Sequence, residues 1–297
     1  MFSGSFVAIV TPFLKNKIDE KKFRELVLYQ LDAGTQGIVP CGTTGEAATL
    51  SSDERERVFS VVVEAVNNKV PVVAGTGTND TAHTIQLTRM AKKCGADAAL
   101  VVTPYYNKPT QDGLFEHYKK ISGEVDIPII IYNVPGRTGV NILPPTVLKL
   151  MKECPTIVGI KEASGCIDQS TEIISQARSD FFVLSGDDSQ TLPLMAVGAR
   201  GVISVVANLA PRDVRSLCQA VSDNDWDQAR TFHNKLYPLI KACFMETNPM
   251  PVKTALELMG LCSGEVRLPL CKMQKDNKDK LQKLLMSYGL LKNTVKV

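Results

Sequence analysis

Four short segments of this 297-residue chain join residue types that do chemistry to apolar runs that would hold them still. In Ile157-Val158-Gly159-Ile160-Lys161-Glu162-Ala163 a lysine closes an apolar run of strand length. Two-residue alternation along a strand puts Lys161 on one face with Ile157 and Gly159. If that face is the interior of a packed sheet, desolvation disfavours the ammonium and lowers a lysine pKa from about 10.4 by up to several units. An amine relieved of its proton attacks a carbonyl carbon and forms a Schiff base. The same lysine could instead pair with Glu162 or with a carboxylate on a neighbouring strand, and the residue types alone leave both readings open.

The second segment, Gly42-Thr43-Thr44-Gly45-Glu46, sets two hydroxyls between glycines, where freed backbone N–H groups make a cradle for a carboxylate. It also reads as a glycine-rich turn with hydroxyl caps. The third is Tyr132-Asn133-Val134-Pro135-Gly136-Arg137-Thr138-Gly139. Tyr132 shares strand parity with Ile130 and could move protons, while Arg137 offers a planar fork for a carboxylate. The competing reading is a core ring and an arginine that pins its own loop. In the fourth, Thr103-Pro104-Tyr105-Tyr106-Asn107, adjacent tyrosines on extended chain point opposite ways. At most one serves a site, and the other faces a neighbour.

Weaker candidates are set aside. Adjacent Asp187 and Asp188 point apart with no third ligand nearby, so they read as a loop anchor rather than a metal site. His83, His117 and His233, the only histidines, fall in predicted outer helices, so no acid–base role is assigned to them. Gly75-Thr76-Gly77-Thr78-Asn79-Asp80 lacks the third glycine of a dinucleotide fingerprint and reads as a tight turn.

What must position these segments is a repeat. Apolar, β-rich runs begin at Phe6, Gly37, Val70, Ala98, Ile127, Ile157, Phe181 and Gly201, 20 to 33 residues apart, and each leads into a stretch of helical periodicity. Continuous rather than alternating apolar runs fit a parallel sheet covered on both faces. Eight such units predict an α/β fold, a (β/α)8 TIM barrel over residues 1–224, whose chemistry belongs at the C-terminal ends of the strands. Helix starts are expected at Ser51-Ser52-Asp53-Glu54, Thr110-Gln111-Asp112 and Pro211-Arg212-Asp213, and helix ends at Gly34 and Gly95. Three helical stretches predict a C-terminal extension over residues 225–297, with the polar segment Gln274-Lys275-Asp276-Asn277-Lys278 as an exposed loop.

Composition excludes several classes. With 44% hydrophobic and 22% charged residues, 34 basic against 31 acidic, the chain has an ordinary globular balance and no electrostatic footprint for nucleic acid or an anionic membrane. Eight irregularly spaced cysteines, without metal-binding spacing, read as reduced thiols in a cytoplasmic, soluble protein.

The segments GSFVAIVTPF, GTTGE, GTG, VTPYYNKP, YNVPGRTG, GIKEASG, LSGDD, GVISV and NPMPVK together resemble the pyruvate-dependent class I aldolase family, which includes dihydrodipicolinate synthases and N-acetylneuraminate lyases. The resemblance implies condensation of pyruvate with L-aspartate 4-semialdehyde to 4-hydroxy-tetrahydrodipicolinate, the branch point of diaminopimelate and lysine biosynthesis, with no metal and no cofactor. It implies that Lys161 forms the imine, that Tyr132, Thr43 and Tyr106 form a proton relay, and that Tyr106 reaches the adjoining subunit of a homotetramer built from tight dimers. Thr44 would hold the pyruvate carboxylate, Gly186 and Ile203 would line that pocket, and Arg137 would bind the semialdehyde carboxylate. A hydroxyl relay would also explain the scarcity of histidine.

Lysine-inhibited relatives bind that amino acid with residues matching Ala48, Ser52, Arg55, Asn79, His83 and Tyr105, commonly with Glu in place of His83 and His in place of Ser52 and Arg55. Adding a cation at Arg55 and losing the acid at His83 predict weak or absent feedback. The alternative is a sibling aldolase cleaving N-acetylneuraminate or 2-keto-3-deoxygluconate, against which Arg137 speaks. A non-catalytic keto-acid-binding barrel would be expected only if Lys161, Tyr132 or Thr43 were replaced.

Overall fold

The computed structural model describes residues 2–291; residues 1 and 292–297, the outer ends of the two expected domains, lie outside the described residues. Local sequence accounts for most helix boundaries. Helix α1 (Glu20–Asp32) starts where the Asp19 side chain accepts from the Lys22 N–H and is followed by Gly34 at φ +80°. Helix α2 (Ser52–Val66) opens with a reciprocal capping box between Ser51 and Glu54, which satisfies two otherwise orphaned N–H groups. Helix α3 (Thr81–Lys93) is capped by Asp80 and ends before Gly95, and α4 (Gln111–Glu124) is capped by Thr110.

Helices α5 (Pro144–Glu153), α6 (Ile167–Gln176), α7 (Thr191–Ala196) and α8 (Pro211–Ser222) complete the ring. The expected cap at Pro211-Arg212-Asp213 is corrected. Pro211 occupies the first turn, where its missing N–H costs nothing, and no side chain caps the helix. Asp213 instead accepts from the Tyr288 hydroxyl at 2.6 Å and pairs with Lys235 at 2.8 Å.

Eight parallel strands alternate with these helices: β1 (Gly4–Ala8), β2 (Gly37–Val39), β3 (Val73–Gly75), β4 (Ala98–Val102), β5 (Ile129–Asn133), β6 (Ile157–Glu162), β7 (Phe182–Ser185) and β8 (Gly201–Ser204). They pair in the order β2-β1-β8-β7-β6-β5-β4-β3. A parallel bridge between Ile38 and Val72, with the Ile38 N–H donating to Pro71 at 3.0 Å and the Gly75 N–H to Pro40 at 2.9 Å, closes β2 onto β3. The expected (β/α)8 barrel is the fold.

The barrel interior holds Phe2, Phe6, Ala8, Val39, Val73, Ala98, Leu100, Ile130, Tyr132, Phe182, Leu184 and Ile203. The Phe2 ring lies 6.4 Å from that of Phe6 and 5.3 Å from that of Phe182. Gly159 leaves room for this plug, because a Cβ there would fall 2.5 Å from the Phe182 ring. Outside the barrel, β4 to β7 pack on α4, α5 and α6, whereas the β8-β1-β2-β3 half shares one core with α1, α2, α8 and the C-terminal helices.

Those helices are α9 (Trp226–Cys243), α10 (Met250–Leu258) and α11 (Lys275–Tyr288). The loop expected at Gln274–Lys278 is instead the cap and first turn of α11, whose Leu281 and Leu285, one turn apart, bury its apolar face. Among the described residues no helix is long and apolar enough to cross a membrane.

Candidate active site

Lys161 and Tyr132 are direct cross-strand partners on β6 and β5, so the sheet register itself brings them together. Lys161 is buried to 6% exposure, and its Nζ sits 4.1 Å from the centre of the Tyr132 ring. Gly159 and Lys161 face inward as expected, but Ile157 does not. It packs outward with Ile129, Ile131 and Ile160, because the pairing register shifts between Ile129 and Ile130. An extra residue there breaks two-residue alternation at the start of β6.

The ion pair between Lys161 and Glu162 does not form, since adjacent strand residues face opposite ways. Glu162 turns outward and is buried, accepting from Asn133 Nδ2 at 3.1 Å, Gln169 Nε2 at 3.0 Å and the Ser164 N–H at 2.7 Å. Asn133 in turn accepts from the Ile142 N–H at 3.2 Å. The carboxylate thereby ties the ends of β5 and β6 to α6 from behind the face that carries Lys161.

On the Lys161 face two adjoining cavities of about 130 and 290 Å³ open at the C-terminal ends of the strands. Lys161, Thr44, Gly186 and Asp187 line the smaller, and Gly42, Thr43, Tyr132, Arg137 and Asn248 line both. Gly186 is required there, because a Cβ would lie 2.7 Å from that of Ala163 and 3.1 Å from Lys161 Cε. Its N–H donates to the Glu162 carbonyl at 2.7 Å, which holds the wall against the lysine. Ile203 lies one layer deeper, in the barrel interior, and Val205 is the neighbouring residue on the cavity wall.

Thr43 and Thr44 sit on the loop after β2. Thr44 is buried, and its Oγ1 accepts from Asn248 Nδ2 at 2.9 Å. Arg137 lies on a one-turn helix, Pro135–Thr138, that the sequence reading missed, and its Nη2 donates to the Asn248 carbonyl at 3.4 Å. Asn248 has no signal of its own in the sequence beyond its place in NPMPVK, yet it joins the threonine loop to the arginine loop. Its Oδ1 is buried without a protein partner. Thr44 and Arg137 thus stand on a shared wall with Lys161 below them, an arrangement suited to a carbonyl compound bearing a carboxylate and to a second carboxylate nearer solvent.

The tyrosine pair divides, although the chain is not extended there as strand alternation assumes. Tyr105 lines the larger cavity, and Tyr106, at φ +71°, is 90% exposed. Ala48 and Arg55 also line the larger cavity, whereas Ser52, Asn79 and His83 stand off its wall. Arg55 is buried, donates from Nη2 to the Ala47 carbonyl at 2.7 Å, and has no protein partner at Nη1.

Asp188 is the loop anchor expected of it. It accepts from the Ser204 hydroxyl, from the Val205 N–H at 2.9 Å and from the Val206 N–H at 3.3 Å, tying β7 to β8. Burial raises its carboxyl above the ordinary range, and these donors oppose the rise. His117 is buried on α4, where desolvation lowers its pKa to about 4, and Nδ1 lies 2.9 Å from the Thr81 hydroxyl.

The sequence pattern of the dihydrodipicolinate synthetase family matches residues 1–288. The 4-hydroxy-tetrahydrodipicolinate synthase of Thermodesulfovibrio yellowstonii is 56% identical over 292 residues, covering 98% of this chain and 100% of the relative. That of Syntrophus aciditrophicus is 53% identical over 291 residues, again with 98% and 100% coverage. Among solved structures, the dihydrodipicolinate synthase of Aquifex aeolicus superposes with a TM-score of 0.97 at 49% identity, covering 98% of this chain and 100% of that one. A barrel with a lysine on its sixth strand beneath paired threonines and an arginine, matched over its length by these relatives, belongs to the dihydrodipicolinate synthetase family.

Proposed function

We infer from the site and its relatives that the chain condenses pyruvate with L-aspartate 4-semialdehyde through a lysine Schiff base, giving 4-hydroxy-tetrahydrodipicolinate. The observation that carries the lysine's role is its buried Nζ over the Tyr132 ring, on a cavity that also holds Thr44 and Arg137. Lys161 adds to the keto carbon of pyruvate and expels water, forming an imine. A proton leaves the methyl group through the hydroxyls of Tyr132 and Thr43, and the enamine so formed attacks the aldehyde carbon of the second substrate. The amino group of that substrate then displaces Lys161 from the imine carbon, closing the ring and returning the free amine.

Thr44 holds the pyruvate carboxylate and Arg137 that of the semialdehyde, by charge-assisted hydrogen bonding in the second case. Gly186 closes the pyruvate pocket, with Ile203 packed beneath it. Tyr106 completes the relay in the adjoining subunit of a tight dimer, and two such dimers form the homotetramer; its exposure and left-handed backbone support this reading. The enzyme works in the cytoplasm on small carboxylates. Lysine feedback is weak or absent, because Arg55 and His83 stand where a cationic effector would need an acid.

Incubation with pyruvate and borohydride tests the mechanism. A single reduced adduct on Lys161 is expected, and an adduct elsewhere, or none, overturns it. Release of pyruvate from N-acetylneuraminate or 2-keto-3-deoxygluconate, without condensation, would instead point to a sibling aldolase.

A further inference from the structure

The threonine loop ends in a buried ion pair that no step of the reaction uses. Glu46 has a left-handed backbone, φ +55°, and its Oε1 lies 2.6 Å from Lys253 Nζ on α10. Both side chains are almost wholly removed from solvent, at 1% and 0% exposure. Glu46 Oε2 accepts from the Arg267 N–H at 3.0 Å. Lys253 Nζ also donates to the Thr11 carbonyl at 2.9 Å and sits 4.2 Å from the centre of the Phe13 ring. The pair therefore joins the chain after β1, the loop after β2 and the C-terminal helices at one point.

Burying two charges requires removing both from water, and a well-packed apolar pair is commonly as stable or more so. Stability alone is then a weak reason for this arrangement. What the pair supplies is direction. The Glu46 N–H donates to the Thr43 carbonyl at 3.0 Å, and the Thr11 hydroxyl donates to the Gly45 carbonyl at 2.8 Å, so the same contacts fix the turn that carries both threonines. Lys253 lies on the helix whose approach presents Asn248 to Thr44 Oγ1, so one helix grips the loop at two places.

We propose that Glu46, which borders the larger cavity but has its side chain turned away from solvent, and Lys253 are positioning residues that hold Thr43 and Thr44 at the distance from Lys161 that imine chemistry requires. The proposal rests on the roles given above to those threonines and to Lys161. Misplacing a reacting group by about 1 Å can cost about 100-fold in rate, so a loosened loop is visible in turnover before it is visible in folding.

The test is the double variant E46Q/K253M beside each single variant, in the full chain. The E46Q change keeps a side-chain oxygen for the Arg267 N–H, and K253M preserves the length of the lysine stem while placing a sulfur near the Phe13 ring. Each protein is measured for thermal midpoint, for kcat and KM of both substrates, and for the rate of pyruvate adduct formation under borohydride, with turnover expressed per trapped lysine. The double variant is expected to regain most of the thermal midpoint lost by the single ones, yet to keep at least a ten-fold lower kcat, a several-fold higher KM for pyruvate and slower adduct formation. A double variant with both wild-type midpoint and wild-type kinetics overturns the proposal, and so does failure of all three variants to fold, since the pair is then a folding element. Absence of an adduct on Lys161 in the unaltered enzyme would instead overturn the catalytic reading on which the proposal rests.

Discussion

Lys161 with Tyr132 and Thr43 with Thr44 face one cavity but are held there in opposite ways. The first pair sits on adjacent strands, so its spacing follows from sheet register, and the Glu162–Asn133–Gln169 network braces those strand ends from outside the barrel. The second pair rides a loop whose supports come from residues more than 200 positions away, Asn248 and Lys253. Strand-borne groups inherit the rigidity of the barrel. Loop-borne groups depend on a C-terminal extension that contributes position rather than reactive atoms.

The largest expected effect tests the strand side. Lys161→Ala should lower kcat by about 10⁴ or more in an assay coupled to product formation, since the step that needs a nucleophile has none. Its thermal midpoint should stay level or rise, because a buried polar side chain with no ion-pair partner among the described residues is removed. On the loop side, Thr43→Val should lower kcat by about 100-fold, the range of one general acid–base group, with the midpoint little changed. A comparable loss in a variant that cannot form the pyruvate adduct at all would place Thr43 before the imine rather than after it.

The braces should separate differently. Glu162→Gln replaces one acceptor with a donor facing other donors, and should reduce stability by about 1–3 kcal/mol in urea unfolding while kcat falls less than it does in E46Q/K253M. The reverse ranking would show that the strand ends, not the loop, are the deformable part of the site.

A smaller effect comes from the helix ring beside β4. His117 is held near pKa 4 in the fold and near 6.5 when unfolded, so between those values the unfolded chain takes up a proton that the fold refuses. Stability should therefore drop as pH falls from about 6.5 to 4, by up to about 1.4 kcal/mol per unit, and His117→Gln should flatten that part of the profile. Comparing urea midpoints at pH 7 and pH 5 measures it. The smallest effect expected is that of added lysine, which should leave turnover unchanged at sub-millimolar concentration. Inhibition there would mean that Arg55 and His83 accommodate a cation after all.

The same contrast explains what can be read from the residues. Lys161, Tyr132 and the eight repeats announce themselves locally, as polar groups at the ends of apolar runs of strand length. Ile157 departs from the face that alternation predicts because the register shift beside Ile129 belongs to a pairing between strands, not to either strand alone. The Glu46–Lys253 pair spans 207 residues, and only a lysine within Met250-Pro251-Val252-Lys253-Thr254-Ala255-Leu256 marks it. The first turn of α11 reads as a loop because a surface helix starts with the same polar residues; Leu281 and Leu285 carry the better signal.

The phenylalanine plug of Phe2, Phe6 and Phe182 makes the barrel a tube sealed at one end. Whatever reaches Lys161 arrives and departs at the C-terminal ends of the strands, where the two cavities open. On the role proposed for Lys161, the molecule that bonds to the lysine occupies the deeper cavity and its partner then stands between it and solvent.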